Sequence, residues 1–318
     1  MKDEIILKVS NLSAGYGEQI AVSNLSFQLH RGEILCLAGE SGSGKSTVLK
    51  ALLSMPEIQI SSGEIQLLGT DLQTLSEKKR RSYCTEKMGM VFQSPGASFN
   101  PIRSYQKQFV ETLKSHGKYD KASFLSQAEA AFAKVDLKDA RRLLRACPYA
   151  LSGGMNQRMA LSLAMLLGQD ILLGDEPTSA LDATIQLQVA EELKKLRDEN
   201  GIAQIIVTHN VALARFLADR IGVMYAGRIV ELGDAAELLS HPKHPYTKSL
   251  IDAVPALNGG MPEGLAGQPV LTGPAELGCE FRDRCSCASD NCGSKRYELR
   301  MADEGHFLAY CEGEGAAK

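Results

Sequence analysis

At 318 residues, with 35 Lys and Arg against 38 Asp and Glu, the chain has room for about two domains and carries no basic excess. That balance argues against a general nucleic-acid binder, and no nucleic-acid partner is expected. The N-terminal MKDEIILKVSNLSAGYG has acidic residues and too short an apolar run for a signal peptide, while the longest apolar stretch, MALSLAMLLGQDILLG, is broken by Ser162, Gln169 and Asp170. A cytosolic chain without a membrane span is the expectation.

IILKVSNLSAGYG and IAVSNLSFQLHRGEILCLAGES alternate apolar and polar residues, as short strands do, and the second run ends on ILCLAG, apolar enough for a strand buried on both faces. GESGSGKST follows, then VLKALLSM at helical spacing, giving the order strand, glycine loop, helix. SSGEIQLLGTDL reads as a hairpin. YDKASFLSQAEAAFAKVDL has helical period and belongs to a helical insert that starts after VFQSPGASFNP, near Pro95, and ends near LSGGMNQR at about residue 155. DILLGDEP and AQIIVTHN are further buried strands, each followed by a helical pattern, which implies a parallel sheet. Beyond GRIVELGD the composition turns rich in Pro and Gly. The boundary is placed near Asp234, dividing residues 1–234 from a cysteine-bearing extension at 235–318.

Gly39 to Ser46 fit the phosphate-loop pattern G-x-x-x-x-G-K-[ST]. Gly39, Gly42 and Gly44 let backbone N–H groups, including that of Ser41, turn toward phosphate oxygens at the start of a helix that continues through Thr47. Lys45 reaches the outer phosphates, and the Ser46 hydroxyl suits Mg²⁺. In LLGDEP an apolar strand ends at Asp175, suited to hold Mg²⁺ through water, with Glu176 next to it as a base for the attacking water.

Leu151-Ser152-Gly153-Gly154 resembles the signature of the ATP-binding-cassette (ABC) ATPases. A Ser and two Gly at a helix start form an anion-binding cap. In a chain that already has a phosphate loop, this cap serves ATP held by another subunit. The resemblance implies an α/β P-loop core with an antiparallel β subdomain, an α-helical subdomain and a small cysteine-containing extension. It also assigns further roles. Tyr16 would stack on adenine, and Gln93 would sense Mg²⁺ and the γ-phosphate. Asp182, in SALD, would communicate across the dimer, and His209 would contact the γ-phosphate. Met155, Asn156, Gly174 and Asn210 depart from the commoner residues of that family. Gly174 is expected to loosen packing behind Asp175.

VFQSPGASFNP, HPKHPYTKSL and GCEFRDRC resemble the ATPase subunits of bacterial dipeptide, oligopeptide and nickel importers. That resemblance implies a second, related ATPase subunit in a heterodimer, two transmembrane permease subunits and an extracytoplasmic substrate-binding protein. The chain would sit at the cytoplasmic face of the membrane. The competing readings are a non-transport ABC ATPase acting on nucleic acid or ribosomes, and an exporter ATPase. Clustered thiols in a reducing compartment point to metal or redox chemistry more than to structural disulfides. Cys279, Cys285, Cys292 and Cys311 are read as a [4Fe-4S] site by the resemblance, with zinc as the alternative and Cys287 as the spare. Cys36, Cys84 and Cys147 are read as small hydrophobes. HPKHPYT alone reads as a linker with His241 and His244 solvated, and the other histidines as surface or turn residues.

Overall fold

The computed structural model describes residues 4–93, 95–179, 183–253, 267–268, 277–294 and 298–309. The chain opens with β1 (Ile5–Tyr16), β2 (Gln19–His30), β3 (Ile34–Ala38), α1 (Lys45–Leu52), β4 (Gln59–Leu67), β5 (Thr70–Asp71), α2 (Glu77–Lys87) and β6 (Met88–Val91). A helical stretch follows: α3 (Pro95–Ser98), α4 (Tyr105–Ser115), α5 (Phe124–Lys134), α6 (Ala140–Arg145) and α7 (Gly153–Leu167). Next come β7 (Ile171–Asp175), α8 (Ala183–Asn200), β8 (Ala203–Thr208), α9 (Val211–Leu217), β9 (Arg220–Tyr225) and β10 (Arg228–Asp234). The chain closes with α10 (Ala235–Ser240), α11 (Pro245–Asp252), β11 (Leu299–Asp303) and β12 (His306–Ala309). These elements form two compact units, Met1–Arg81 with Val207–Lys318, and Ser82–Ile206.

The first unit contains an antiparallel sheet in the order β2-β1-β4-β5. Alternation along β1 puts Leu7 and Val9 into the core and, beyond an irregularity between Val9 and Leu12, Leu12 and Ala14. A second sheet runs β11-β12-β10-β9-β3. In it β3 and β9 are parallel, whereas β9, β10, β12 and β11 are joined antiparallel. All five residues of β3 are buried, in line with its unbroken apolar sequence. Residues beyond Asp234 therefore share a unit with the phosphate loop, and the hairpin β11–β12 pairs with β10 through Glu231↔Leu308 and Leu232↔Phe307.

The second unit holds β8-β7-β6, with β6 and β7 parallel, and the helices α3 to α8. Tyr105, Phe109 and Phe132 form its aromatic core, meeting edge to face at 5.8 and 6.2 Å. Neither α2 nor β6 was expected from sequence. Of the α2 residues EKKRRSYCTEK only Cys84 is buried, so the segment has no apolar period to read. Among the described residues no helix is long and apolar enough to cross a membrane.

Candidate functional site

Strand β3 feeds the phosphate loop and α1 leaves it. The loop must pass close to neighbouring backbone: a Cβ on Gly39 would lie 2.2 Å from Met224 O, and one on Gly44 would lie 2.7 Å from Val22 Cγ1. Gly44 also sits at φ 93°, a left-handed conformation that favours glycine, and caps α1. Ser41 and Gly42 are exposed, Ser46 is half-buried and Thr47 is buried. Lys45 is only 5 % exposed. Its ammonium donates to Gly39 O at 2.8 Å, Glu40 O at 2.7 Å and Ser43 Oγ at 3.2 Å. A cation folded onto loop carbonyls is one that phosphate oxygens can draw away.

Also in the first unit, Tyr16 ends β1 with its ring 40 % exposed and Lys50 Nζ 5.5 Å from its centroid. His209 follows β8 and is exposed. Asn210 keeps a helix cap where an acid is commoner, since its Oδ1 accepts the Leu213 N–H at 3.1 Å.

In the second unit, Asp175 ends β7 and is half-buried. Glu176 takes φ 47°, which costs a non-glycine residue about 1 kcal/mol or more. The turn is held because Glu176 O accepts the Ser179 N–H at 3.2 Å and the Ser179 hydroxyl at 3.1 Å. Gln93 Nε2 donates to Glu176 Oε2 at 3.4 Å, so these two predicted residues meet. Ser152 is the exposed N-cap of the 15-residue α7, its Oγ accepting the Met155 N–H at 3.3 Å, and Gly153 beside it is exposed. That helix end presents N–H groups and a positive dipole to solvent. Asp182 lies outside the described residues. Ser46 and Asp175 each carry a hard oxygen donor of the kind Mg²⁺ takes.

Several expectations need correction. Gly174 does not loosen the strand behind Asp175, because Ile206 Cδ1 and Pro177 Cγ already occupy the space, 2.8 and 3.1 Å from where a Cβ would stand. His244 is not solvated. It is 2 % exposed and its Nδ1 accepts the Tyr246 N–H at 3.1 Å, while burial pushes its pKa down to about 4. His306 is not at the surface either, since it is 2 % exposed with Nε2 2.7 Å from the buried Glu231 carboxylate. Cys36 and Cys84 are buried as expected, and desolvation raises the Cys36 thiol well above its ordinary range.

The cysteine cluster is not assembled by the described residues. No group of three or more His, Cys, Asp or Glu among them is arranged to hold a metal ion. Cys292 Sγ accepts the Ser289 N–H at 3.4 Å and Cys285 Sγ accepts the Cys287 N–H at 3.3 Å. Cys311 lies outside the described residues. Sequence reasoning also missed two residues braced against the phosphate loop. Glu40 N–H donates to the Tyr246 hydroxyl at 2.9 Å, and the Arg284 guanidinium donates to both Glu40 carboxylate oxygens, at 2.6 and 3.0 Å. HPYT, which holds Tyr246, reads locally as linker.

The ABC transporter family profile matches residues 22–179, and that of the oligopeptide/dipeptide transporter C-terminal region matches residues 230–292. The chain is 35 % identical over 309 residues to the dipeptide transport ATP-binding protein DppD of Escherichia coli, covering 94 % of each. Among solved structures it resembles cbiO1 of Clostridium perfringens, part of the transporter complex cbiONQ, at a TM-score of 0.66 and 25 % identity over 75 % of this chain and 92 % of that one. It also resembles the ATP-binding cassette MJ0796 in a dimeric post-hydrolysis state with ADP and phosphate. There the TM-score is 0.63 and the identity 27 %, over 72 % of this chain and 98 % of that one.

Proposed function

The chain belongs to the family of ATP-binding subunits of peptide-importing ABC transporters, and on that premise we propose that it hydrolyses ATP to drive uptake of short peptides across the membrane. The observation that carries this reading is the glycine cradle with Lys45 folded onto its carbonyls, in a chain matched by a dipeptide transport protein over 94 % of both lengths.

ATP enters with its phosphates on the N–H groups of the loop and of the first turn of α1. Lys45 exchanges the Gly39 and Glu40 carbonyls for phosphate oxygens. Tyr16, exposed at the end of β1, offers a ring face to adenine. Ser46 and Asp175 would hold Mg²⁺, which would neutralise charge on the phosphate oxygens. Glu176 accepts a proton from water as that water attacks the γ-phosphorus, and the bond from the γ-phosphorus to the bridging oxygen breaks to leave ADP and phosphate. Gln93, within hydrogen-bond distance of the Glu176 carboxylate, orients it. His209 supplies a further donor to the γ-phosphate.

The exposed α7 terminus at Ser152 caps ATP carried by a partner ATPase, so turnover requires two such subunits head to tail. The dimer seen for the cassette MJ0796 with ADP and phosphate supports that arrangement. The partner is a related ATPase. Two permease subunits and an extracytoplasmic binding protein complete the importer, and the chain is peripheral on the cytoplasmic face. No step runs through the cysteine segment, and iron, sulfide and zinc assays on protein purified without oxygen decide its metal content. The function is tested by reconstituting the chain with its permease subunits, partner ATPase and binding protein in liposomes. ATP-dependent accumulation of a dipeptide or oligopeptide is expected. ATPase activity with no peptide uptake, or with nickel uptake instead, overturns the peptide assignment.

A further inference from the structure

Glu40 is the second residue of the phosphate loop, and its groups point in three directions. Its carbonyl oxygen receives the Lys45 ammonium at 2.7 Å, its N–H donates to the Tyr246 hydroxyl at 2.9 Å, and both its carboxylate oxygens are taken by Arg284. The Arg284 side chain is 4 % exposed and that of Glu40 25 %. Arg284 comes from a short turn at Arg282–Arg284, and that turn is anchored. Phe281 packs on Tyr225 and Tyr246 with ring centroids 5.3 Å from each, and Arg228 Nε lies 3.1 Å from Glu280 Oε1. The Tyr225 hydroxyl takes a further hydrogen bond from Arg284 at 3.3 Å.

A buried ion pair is not needed for stability, since apolar residues of similar volume serve as well or better. Here the carboxylate also sits on a loop shaped to receive a polyanion, where an uncovered negative charge opposes binding. A bidentate guanidinium cancels that charge and fixes the geometry of the residue carrying it. The same residue seats the lysine that meets the phosphates.

We propose that Arg284, supported by Tyr246, is a positioning residue of the ATP site: the C-terminal segment neutralises and orients Glu40, and thereby sets the affinity of the loop for the nucleotide polyphosphate. Neither residue touches ATP. The inference rests on the nucleotide-binding reading of the loop and is independent of the cargo.

The test is equilibrium titration of the full chain with MgATP, MgADP and AMP, together with kcat and KM for hydrolysis in the assembled transporter. Arg284→Ala is expected to weaken MgATP binding about tenfold, equivalent to ~1.4 kcal/mol. The loss should appear in KM more than in kcat, and should shrink from ATP to ADP to AMP as phosphate charge falls. Glu40→Gln alone is expected to bind MgATP no more weakly than the parent, and Glu40→Gln with Arg284→Ala to recover most of the loss. Arg284→Lys, which keeps charge without the fork, falls between. A purely structural tail would give equal losses for all three nucleotides and no rescue by Glu40→Gln. Either of those results, or parental affinity in Arg284→Ala, overturns the proposal. If Arg284→Ala does not fold, Tyr246→Phe keeps the ring and removes the acceptor of the Glu40 N–H. Unchanged MgATP affinity in that variant also overturns it. Failure of the parent to bind MgATP at all would instead sink the nucleotide-site reading.

Discussion

The Tyr105 hydroxyl donates to Asn156 Oδ1 at 2.5 Å, and Asn156 Nδ2 donates in turn to Pro148 O at 3.2 Å. Tyr105 is 0 % exposed and Asn156 is 8 % exposed, so the pair ties α4 to the first turn of α7 within the core of the second unit. The residue that departs from the family pattern just after the signature thus has a structural task. Asn156→Ala leaves a buried phenol without its acceptor and is expected to cost about 1–3 kcal/mol. Denaturant titration checks this, and Tyr105→Phe combined with Asn156→Ala should cost less than the sum of the two single changes.

Glu176→Gln keeps the shape of the side chain and removes the proposed base. The expected result is a fall in kcat of roughly 10²–10⁴-fold with MgATP affinity retained. Phosphate release measured beside nucleotide binding separates the two quantities. On the proposed head-to-tail pairing, this variant should also accumulate as a nucleotide-bound dimer on size-exclusion chromatography.

Gly174 is held small by Ile206. A methyl at Gly174 meets Ile206 Cδ1 at 2.8 Å, so Gly174→Ala is expected to destabilise by about 1 kcal/mol and to displace Asp175 slightly. Ile206→Val removes that Cδ1 atom. The double variant should regain stability relative to Gly174→Ala, as read by thermal melting, and equal loss in both variants would mean the contact is not limiting.

His244 governs an acid-sensitive part of the first unit. Its folded pKa of about 4 lies below the ordinary value of 6.5, because burial disfavours the cation. Between those two values the unfolded chain binds the extra proton and the folded chain does not. Stability therefore is complete above pH 6.5 and declines as pH falls toward 4, by roughly 3 kcal/mol at the limit. His244→Asn keeps a side-chain acceptor for the Tyr246 N–H and cannot titrate. Its unfolding midpoint should change less between pH 7 and pH 5 than that of the parent.

The parts of the fold legible in sequence were those specified by near neighbours. The phosphate loop is marked by its own glycine spacing, and β3, β7 and β8 by short, mostly apolar runs. Partners far along the chain left no local trace. His306 and Glu231 are 75 residues apart, and Glu40 and Arg284 are 244 apart, so burial of the first pair and bracing of the loop by the second were invisible. The hairpin β11–β12 was missed for a related reason. All but one residue of β11 is exposed, which gives no alternation, and the hairpin's order comes from pairing with β10.

That pairing bears on how the protein can be handled. β10 has β9 on one side and β12 on the other, and His306 of β12 closes over Glu231, whose side chain is wholly buried. Trimming the chain before residue 298 would bare the β10 edge and take His306 from the Glu231 carboxylate, which would keep only the Lys243 and His244 N–H groups, and an uncovered edge invites edge-to-edge aggregation. The hairpin β11–β12 thus completes the sheet edge that β10 offers. Shortened forms made to isolate the nucleotide-binding half should lose solubility before they lose the loop that binds ATP.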